Sequence, residues 1–284
     1  MGRPAATAEL APSLIGRTAA TENFPVASRL LSAKVRGKIL AFYAFARCAD
    51  DIADDPGLSA EEKLARLDAL DWSLAGSAPN IAEAEILRIQ IGDRPHLLIH
   101  AANLLEAFRR DAVVDECRDW VDLMTYCQFS AAPVGRFMLE LHGEGRAAFP
   151  ASDALCSALQ VLNHLQDCGQ DYDTLGRVYL PADWMAQAGV DRGSLAAGAA
   201  STELRRLLDQ ILDQVDGLLD VADALPGHIR SRRLALEVSV ILAVARRLAA
   251  SLRHQDPLAC RVRLSPFGYV CAVLEGLGNG LTRP

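Results

Sequence analysis

The sequence predicts an all-helical protein, and three observations lead there. Beyond Pro25 apolar residues recur at helical spacing almost everywhere. Runs of Val, Ile and Thr with strict alternation are scarce. Hydrophobic residues make up 51% of 284, enough to fill a sizeable core. With no low-complexity linker and no fixed-period repeat, one domain over residues 1–284 is expected, with Met1 to Ala20 as a partly disordered lead-in.

Periodicity puts helices near 30–55, 60–75, 95–111, 117–143, 152–175, 202–225, 228–254 and 265–280. Pro56-Gly57 closes the first. Within 117–143 the run Tyr126 to Gly135 holds Pro133, which lacks the N–H a helix needs and should kink or split it, freeing carbonyls toward any adjoining cavity. Ser152 and Asp153 mark the start of the helix at 152–175. Gly276-Leu277-Gly278-Asn279-Gly280 superficially resembles a nucleotide-binding turn, but no strand precedes it, and it reads as a frayed terminal segment.

A net charge of -7 and a pI near 5.4 argue against nucleic acid as a partner. The seven cysteines, at 48, 117, 127, 156, 168, 260 and 271, are odd in number and form no CxxC pair, so a reducing compartment, the cytoplasm, is expected. The first 20 residues lack a basic stretch followed by an apolar one and do not read as a secretory signal. The longest apolar stretch, Leu234 to Ala245, contains Glu237 and falls short of the roughly 20 residues a membrane span needs.

Chemistry concentrates in two acidic clusters. Asp50, Asp51, Asp54 and Asp55 close the first helix; Asp167 and Asp171 lie on the helix at 152–175. Residues four apart share a helix face, so Asp50 with Asp54, and Asp167 with Asp171, each aim two carboxylates one way. Such pairs repel unless a cation lies between them, and oxygen donors of this kind suit a hard divalent ion bound together with substrate phosphates. Arg47, about one turn before Asp50, can meet a phosphate bidentately. Gln160, Asn163, Asp167 and Asp171 form one polar stripe among Leu159, Val161, Leu162 and Leu165, which calls for a polar counterpart: a metal-bound diphosphate or a buried hydrogen-bond network. In the following loop Arg177 is placed to approach phosphate, or to face solvent, and Tyr179 to close the apolar side. Asp55 alone reads as a solvated helix end. His164 and Cys168 lack the further ligands zinc requires, no nucleophile elbow occurs, and a di-iron carboxylate bundle would want Glu-x-x-His pairs that the clusters lack.

Together Tyr43–Asp54, Tyr126–Arg136 and Gln160–Pro181 closely resemble the squalene and phytoene synthase family, and the likeness runs from about Asn23 to the last helices. The resemblance implies an isoprenoid-synthase-type helical bundle around a central apolar cavity, with Mg²⁺ bridging the aspartates to a prenyl diphosphate. Matched residue by residue, Asp50, Asp51, Asp54, Asn163, Asp167 and Asp171 fall on the metal-centred motifs, with Asp50, Asp54, Asp167 and Asp171 as the catalytic acids. Arg47 and Gln160 fall on diphosphate or substrate contacts, and Thr21 on a diphosphate-contacting serine. Tyr126 and Gly135 fall on a kinked segment lining the cavity. Within the family, Glu22–Val26, Pro133–Arg136 and Asn163–Cys168 are most similar to the branch that takes presqualene diphosphate and water to hydroxysqualene in bacterial hopanoid biosynthesis. Condensing members carry arginine where this chain has Gln166, which removes a fixed positive charge near the diphosphate. Tyr126 and Gln166 are the candidates to position the water. The alternatives are a condensing enzyme joining two prenyl diphosphates and a silent relative acting as a binding module, which would be expected to lose the aspartates. Long hydrocarbon substrates imply transient peripheral contact with the inner membrane.

Overall fold

The computed structural model describes residues 33–282, so Thr21 and the lead-in lie outside the described residues. Its elements are α1 (Ala33–Asp54), α2 (Ala60–Leu74), α3 (Ala82–Ile91), α4 (Leu98–Asp111), β1 (Glu116–Cys117), α5 (Trp120–Ser130), α6 (Ala132–Leu141), α7 (Phe149–Leu175), β2 (Val178–Pro181), α8 (Ala182–Ala188), α9 (Thr202–Ala222), α10 (Leu225–His228), α11 (Arg232–His254) and α12 (Pro266–Thr282), with short 3-10 turns between some of them. Helix dominates, as expected from the 3.6-residue apolar period.

Local chemistry explains several boundaries. Ser59 and Glu62 form a reciprocal capping box at the start of α2, and Asp119 caps α5 by accepting from the Asp122 amide at 2.8 Å. α7 begins three residues before Ser152, with Pro150 in its first turn, where the missing N–H costs nothing. Ser152 and Asp153 are therefore interior, and Asp153 accepts from Arg136 Nε at 2.9 Å. Gly176 ends α7 at φ 66°, a left-handed position that suits glycine. Pro133 splits the expected helix at 117–143: α5 stops at Ser130 and α6 starts at Ala132.

Periodicity alone missed α3, whose buried Ala84, Leu87 and Ile91 make a short stripe, and α8. It also missed the parallel pairing of Glu116 with Val178 between β1 and β2, too short to show alternation. The Gly276 segment is not frayed but lies within α12. A Cβ on Gly276 would come within 2.5 Å of Val240 Cα, so glycine is what lets α12 pack against α11.

Two large apolar clusters form the core. One joins α1 to α4 with Phe137 and Leu141 of α6. The other joins α5 and α7 to α9 and α11. Between them lies a cavity of about 450 Å³ with walls from α1, α5, α6, α7, α10 and α11.

Candidate active site

The two acidic helices meet at their C-terminal ends. Arg177, buried just ahead of β2, donates to Asp54 Oδ1 at 2.6 Å and to the Ala53 carbonyl at 2.9 Å, so the last turn of α1 is tied to the loop after α7. The Ala53 carbonyl also accepts from Lys63 Nζ at 2.7 Å, satisfying a carbonyl that a helix end leaves open. Arg47 reaches Asp50 at 2.9 Å and Asp51 at 2.8 Å. Asp167 is held by Arg261 at 2.8 Å, from the segment joining α11 to α12.

The carboxylates feel one another across the two helices. Burial and then the neighbouring Asp54 push Asp50 up to about 7, against the pull of Arg47. Burial, Asp167 and Asp54 push Asp171 up to about 7, against Arg177 and Arg261. Asp167 is also raised, first by burial, and its Oδ1 is buried without a hydrogen-bond partner. Acids crowded in this way hold protons unless a cation takes their place.

That donor set fits a hard divalent cation in kind: carboxylate oxygens, one orphaned, with charge to spare. As the side chains stand, no three His, Cys, Asp or Glu groups converge on one point among the described residues.

The cavity adjoins this site. Asn163, exposed at its edge, and Gln160 belong to both the polar stripe and the cavity wall. Deeper in, the lining is apolar and aromatic, with Phe42 and Phe137 stacked at 4.1 Å between ring centres. Gly135 lines the wall, and a Cβ there would collide with Ser152 Oγ and Cys156 Sγ, so α6 lies directly on α7. Gln166 also lines it, but its amide donates to the Val262 carbonyl at 2.6 Å and pins the α11–α12 connection.

Tyr126 departs from its expected place. It is not among the cavity-lining residues; its hydroxyl donates to Asp111 Oδ2 at 2.7 Å, and Tyr179 donates to Oδ1 at 3.2 Å. Tyr179 likewise stacks on His164, ring centres 3.8 Å apart, rather than closing the apolar wall. Burial drives His164 down to about 3, so its ring is neutral, and Gln160 Nε2 lies 3.2 Å from its Nε2. Burial pushes Cys168 up to about 12, so it stands as a thiol.

Sequence reading missed three groups. Asp111, which follows Arg109-Arg110 at the end of α4, anchors both tyrosines and lies close enough to Arg177 for Arg177 to pull its titration down. Arg261 and Arg263 both act on Asp167; two arginines around one valine in an acidic chain were the available signal.

An all-helical bundle with two acidic helix ends at the rim of an apolar cavity has the fold of the squalene-synthase-type isoprenoid synthases. The sequence model of the family described as squalene/phytoene synthase matches residues 17–267, and the chain belongs to that family. It is 44% identical to a hydroxysqualene synthase of Rhodopseudomonas palustris, over 94% of this chain and 92% of that one. It is 43% identical to a hydroxysqualene synthase of Zymomonas mobilis, over 85% and 82%. Among solved structures, a squalene synthase from Alicyclobacillus acidocaldarius superposes with a TM-score of 0.72 at 31% identity, covering 84% of this chain and 90% of that one. A ligand-bound dehydrosqualene synthase shares the fold, with a TM-score of 0.76 at 24% identity over 93% of each chain.

Proposed function

We propose that this protein ionises presqualene diphosphate and quenches the resulting cation with water, giving hydroxysqualene, an isoprenoid precursor of the squalene and hopanoid class. The observation that carries this reading is the junction of a crowded carboxylate rim with an apolar, aromatic cavity. The relatives named hydroxysqualene synthase support the choice of product.

Asp50, Asp51, Asp54, Asn163, Asp167 and Asp171 would hold Mg²⁺, which when bound neutralises the charge of a departing diphosphate. Arg47, Arg177, Arg261 and Arg263 supply further donors for phosphate oxygens, and Thr21 is a proposed additional contact. Release of diphosphate leaves a cyclopropylcarbinyl cation in the cavity. Phe42, Tyr43 and Phe137 offer ring faces that stabilise positive charge without attacking it. Apolar walls keep bulk water out, so the rearrangement outruns capture. Gln160 and Gln166 contact the substrate from the α7 wall, and Gly135 gives it room along α6. Tyr126 acts behind the wall, fixing Asp111 and with it Arg177 and Tyr179.

The described helices work as one unit, since the cavity takes walls from α1, α5, α6, α7, α10 and α11. We place the protein in the cytoplasm, in keeping with its free cysteines. No helix among the described residues is long and apolar enough to cross a membrane. Peripheral contact through α12 fits its exposed Phe267, Val270 and Leu274, which share one face.

Incubating the protein and Mg²⁺ separately with presqualene diphosphate and with farnesyl diphosphate tests the reading. Hydroxysqualene from the first and nothing from the second is expected. Presqualene diphosphate or phytoene-type products from prenyl diphosphates would instead favour the condensing chemistry named for relatives such as the phytoene synthase of Rhodobacter capsulatus, 33% identical over 69% of this chain and 59% of that one.

A further inference from the structure

A reaction that ends in an alcohol needs one water held where the cation forms, inside a cavity built to exclude water. A water in an apolar site needs polar partners to stay there. Most polar groups on the wall are already engaged. Gln166 donates to Val262, Gln160 meets His164, and Ser152 hydrogen-bonds Cys156. Tyr43 makes contacts of its own, as does Glu237, although Glu237 Oε2 is buried without a hydrogen bond, and Asn163 sits at the exposed rim with the aspartates.

Ser130 differs. It lines the cavity as the last residue of α5. Its Oγ is packed below the wall surface and has no hydrogen-bond partner. In a helix a serine hydroxyl commonly bonds the carbonyl four residues back; here it does not, so rotation about χ1 into the cavity breaks no bond. The backbone beside it is also unspent. Pro133 offers no N–H to the Phe129 carbonyl four residues earlier. The Val134 amide donates to Ala131 at 3.1 Å rather than to Ser130. A rotatable hydroxyl and two carbonyls without their usual helical donors thus lie together where α5 breaks.

We propose that Ser130 Oγ, with the carbonyls released by the Pro133 break, positions the water that ends the reaction. This rests on the proposed hydroxysqualene-forming activity and assigns the group that sets its product. A lone pair of the water forms the C–O bond to the cationic carbon. The oxonium then loses a proton to the released diphosphate, the base the reaction itself supplies, so presqualene diphosphate and water give alcohol and protonated diphosphate.

The test is a product analysis of wild type, Ser130→Ala and Ser130→Thr with Mg²⁺ and presqualene diphosphate, measuring diphosphate release and the ratio of alcohol to non-hydroxylated hydrocarbons. For Ser130→Ala diphosphate release should stay within about twofold while the alcohol ratio falls about tenfold, the size of one hydrogen bond at the transition state, about 1.4 kcal/mol. Ser130→Thr, which keeps the hydroxyl, should restore the ratio. An unchanged ratio in Ser130→Ala, or an equal fall of release and alcohol that Thr does not rescue, overturns the role of Ser130 and leaves the proposed activity standing. Wild type that releases diphosphate without forming alcohol overturns both.

Discussion

Asp111→Asn should stabilise the metal-free protein at alkaline pH, and by an amount that depends on pH. Burial raises this carboxyl from 3.8 to about 6, against Arg177 and the two tyrosine hydroxyls, with Asp54 adding to the rise. A folded value above the unfolded one means the folded state binds the proton more tightly. Stability is then unimpaired below 3.8 and is lost as pH climbs from 3.8 through 6. At 1.36 kcal/mol per unit the full penalty above pH 6 is about 3 kcal/mol. The residue is only partly buried, so screening reduces the expected gain of Asn to about 1–2 kcal/mol. Asn is isosteric with the protonated acid: its oxygen still accepts from Tyr126, and its amide can donate to a rotated Tyr179 hydroxyl. Urea denaturation in EDTA, at pH 8 and at pH 4.5, reads the difference. Asn should gain most at pH 8 and little at pH 4.5. A variant no more stable than wild type at pH 8, or one with the same gain at both, would refute the reasoning. Because the lost charge faces Arg177, turnover should drop even as stability rises.

Other outcomes follow from the same geometry. Asp50→Asn and Asp167→Asn should each lower diphosphate release by about a thousandfold or more, a loss of about 4 kcal/mol in transition-state stabilisation, and EDTA should do the same to wild type until Mg²⁺ is restored; normal turnover in either variant removes the assignment. Gly276→Ala should cost about 3 kcal/mol, because its Cβ meets α11 backbone that cannot step aside. Gly280→Ala meets the flexible end of Leu236 at 2.8 Å and should cost less; thermal melts that rank them the other way would contradict the packing. Replacing Phe267, Val270 and Leu274 together by serine should reduce flotation with anionic phospholipid vesicles several-fold, and unchanged flotation would exclude that face as the contact.

The helical fold was legible because apolar spacing repeats through α1, α7, α9 and α11, each long enough to show it. α3 and α8 were not, being only two or three turns, and a two-residue strand such as β1 has no period to detect. The acidic pairs were readable from i, i+4 spacing and the cavity break from Pro133. What spacing cannot carry is a partner from elsewhere in the chain. Arg177 closing on Asp54, 123 residues away, and Arg261 on Asp167, 94 away, exist only once α1, α7 and the α11–α12 connection are packed. Tyr126 illustrates the converse: its position in a motif was plain, but the carboxylate its hydroxyl bonds, Asp111, and hence the side of the wall it stands on, was not.

The central claim is that carboxylates from α1 and α7 act on one diphosphate at the rim of the cavity. Crystals grown with Mn²⁺ and a non-ionisable presqualene diphosphate analogue would test it most directly through anomalous scattering. We expect metal peaks bridging the analogue's phosphates to Asp50 or Asp54 on one side and to Asp167 or Asp171 on the other, with the hydrocarbon between Phe42 and Leu155. Metal bound by one cluster alone, or a diphosphate lodged away from both, would contradict it.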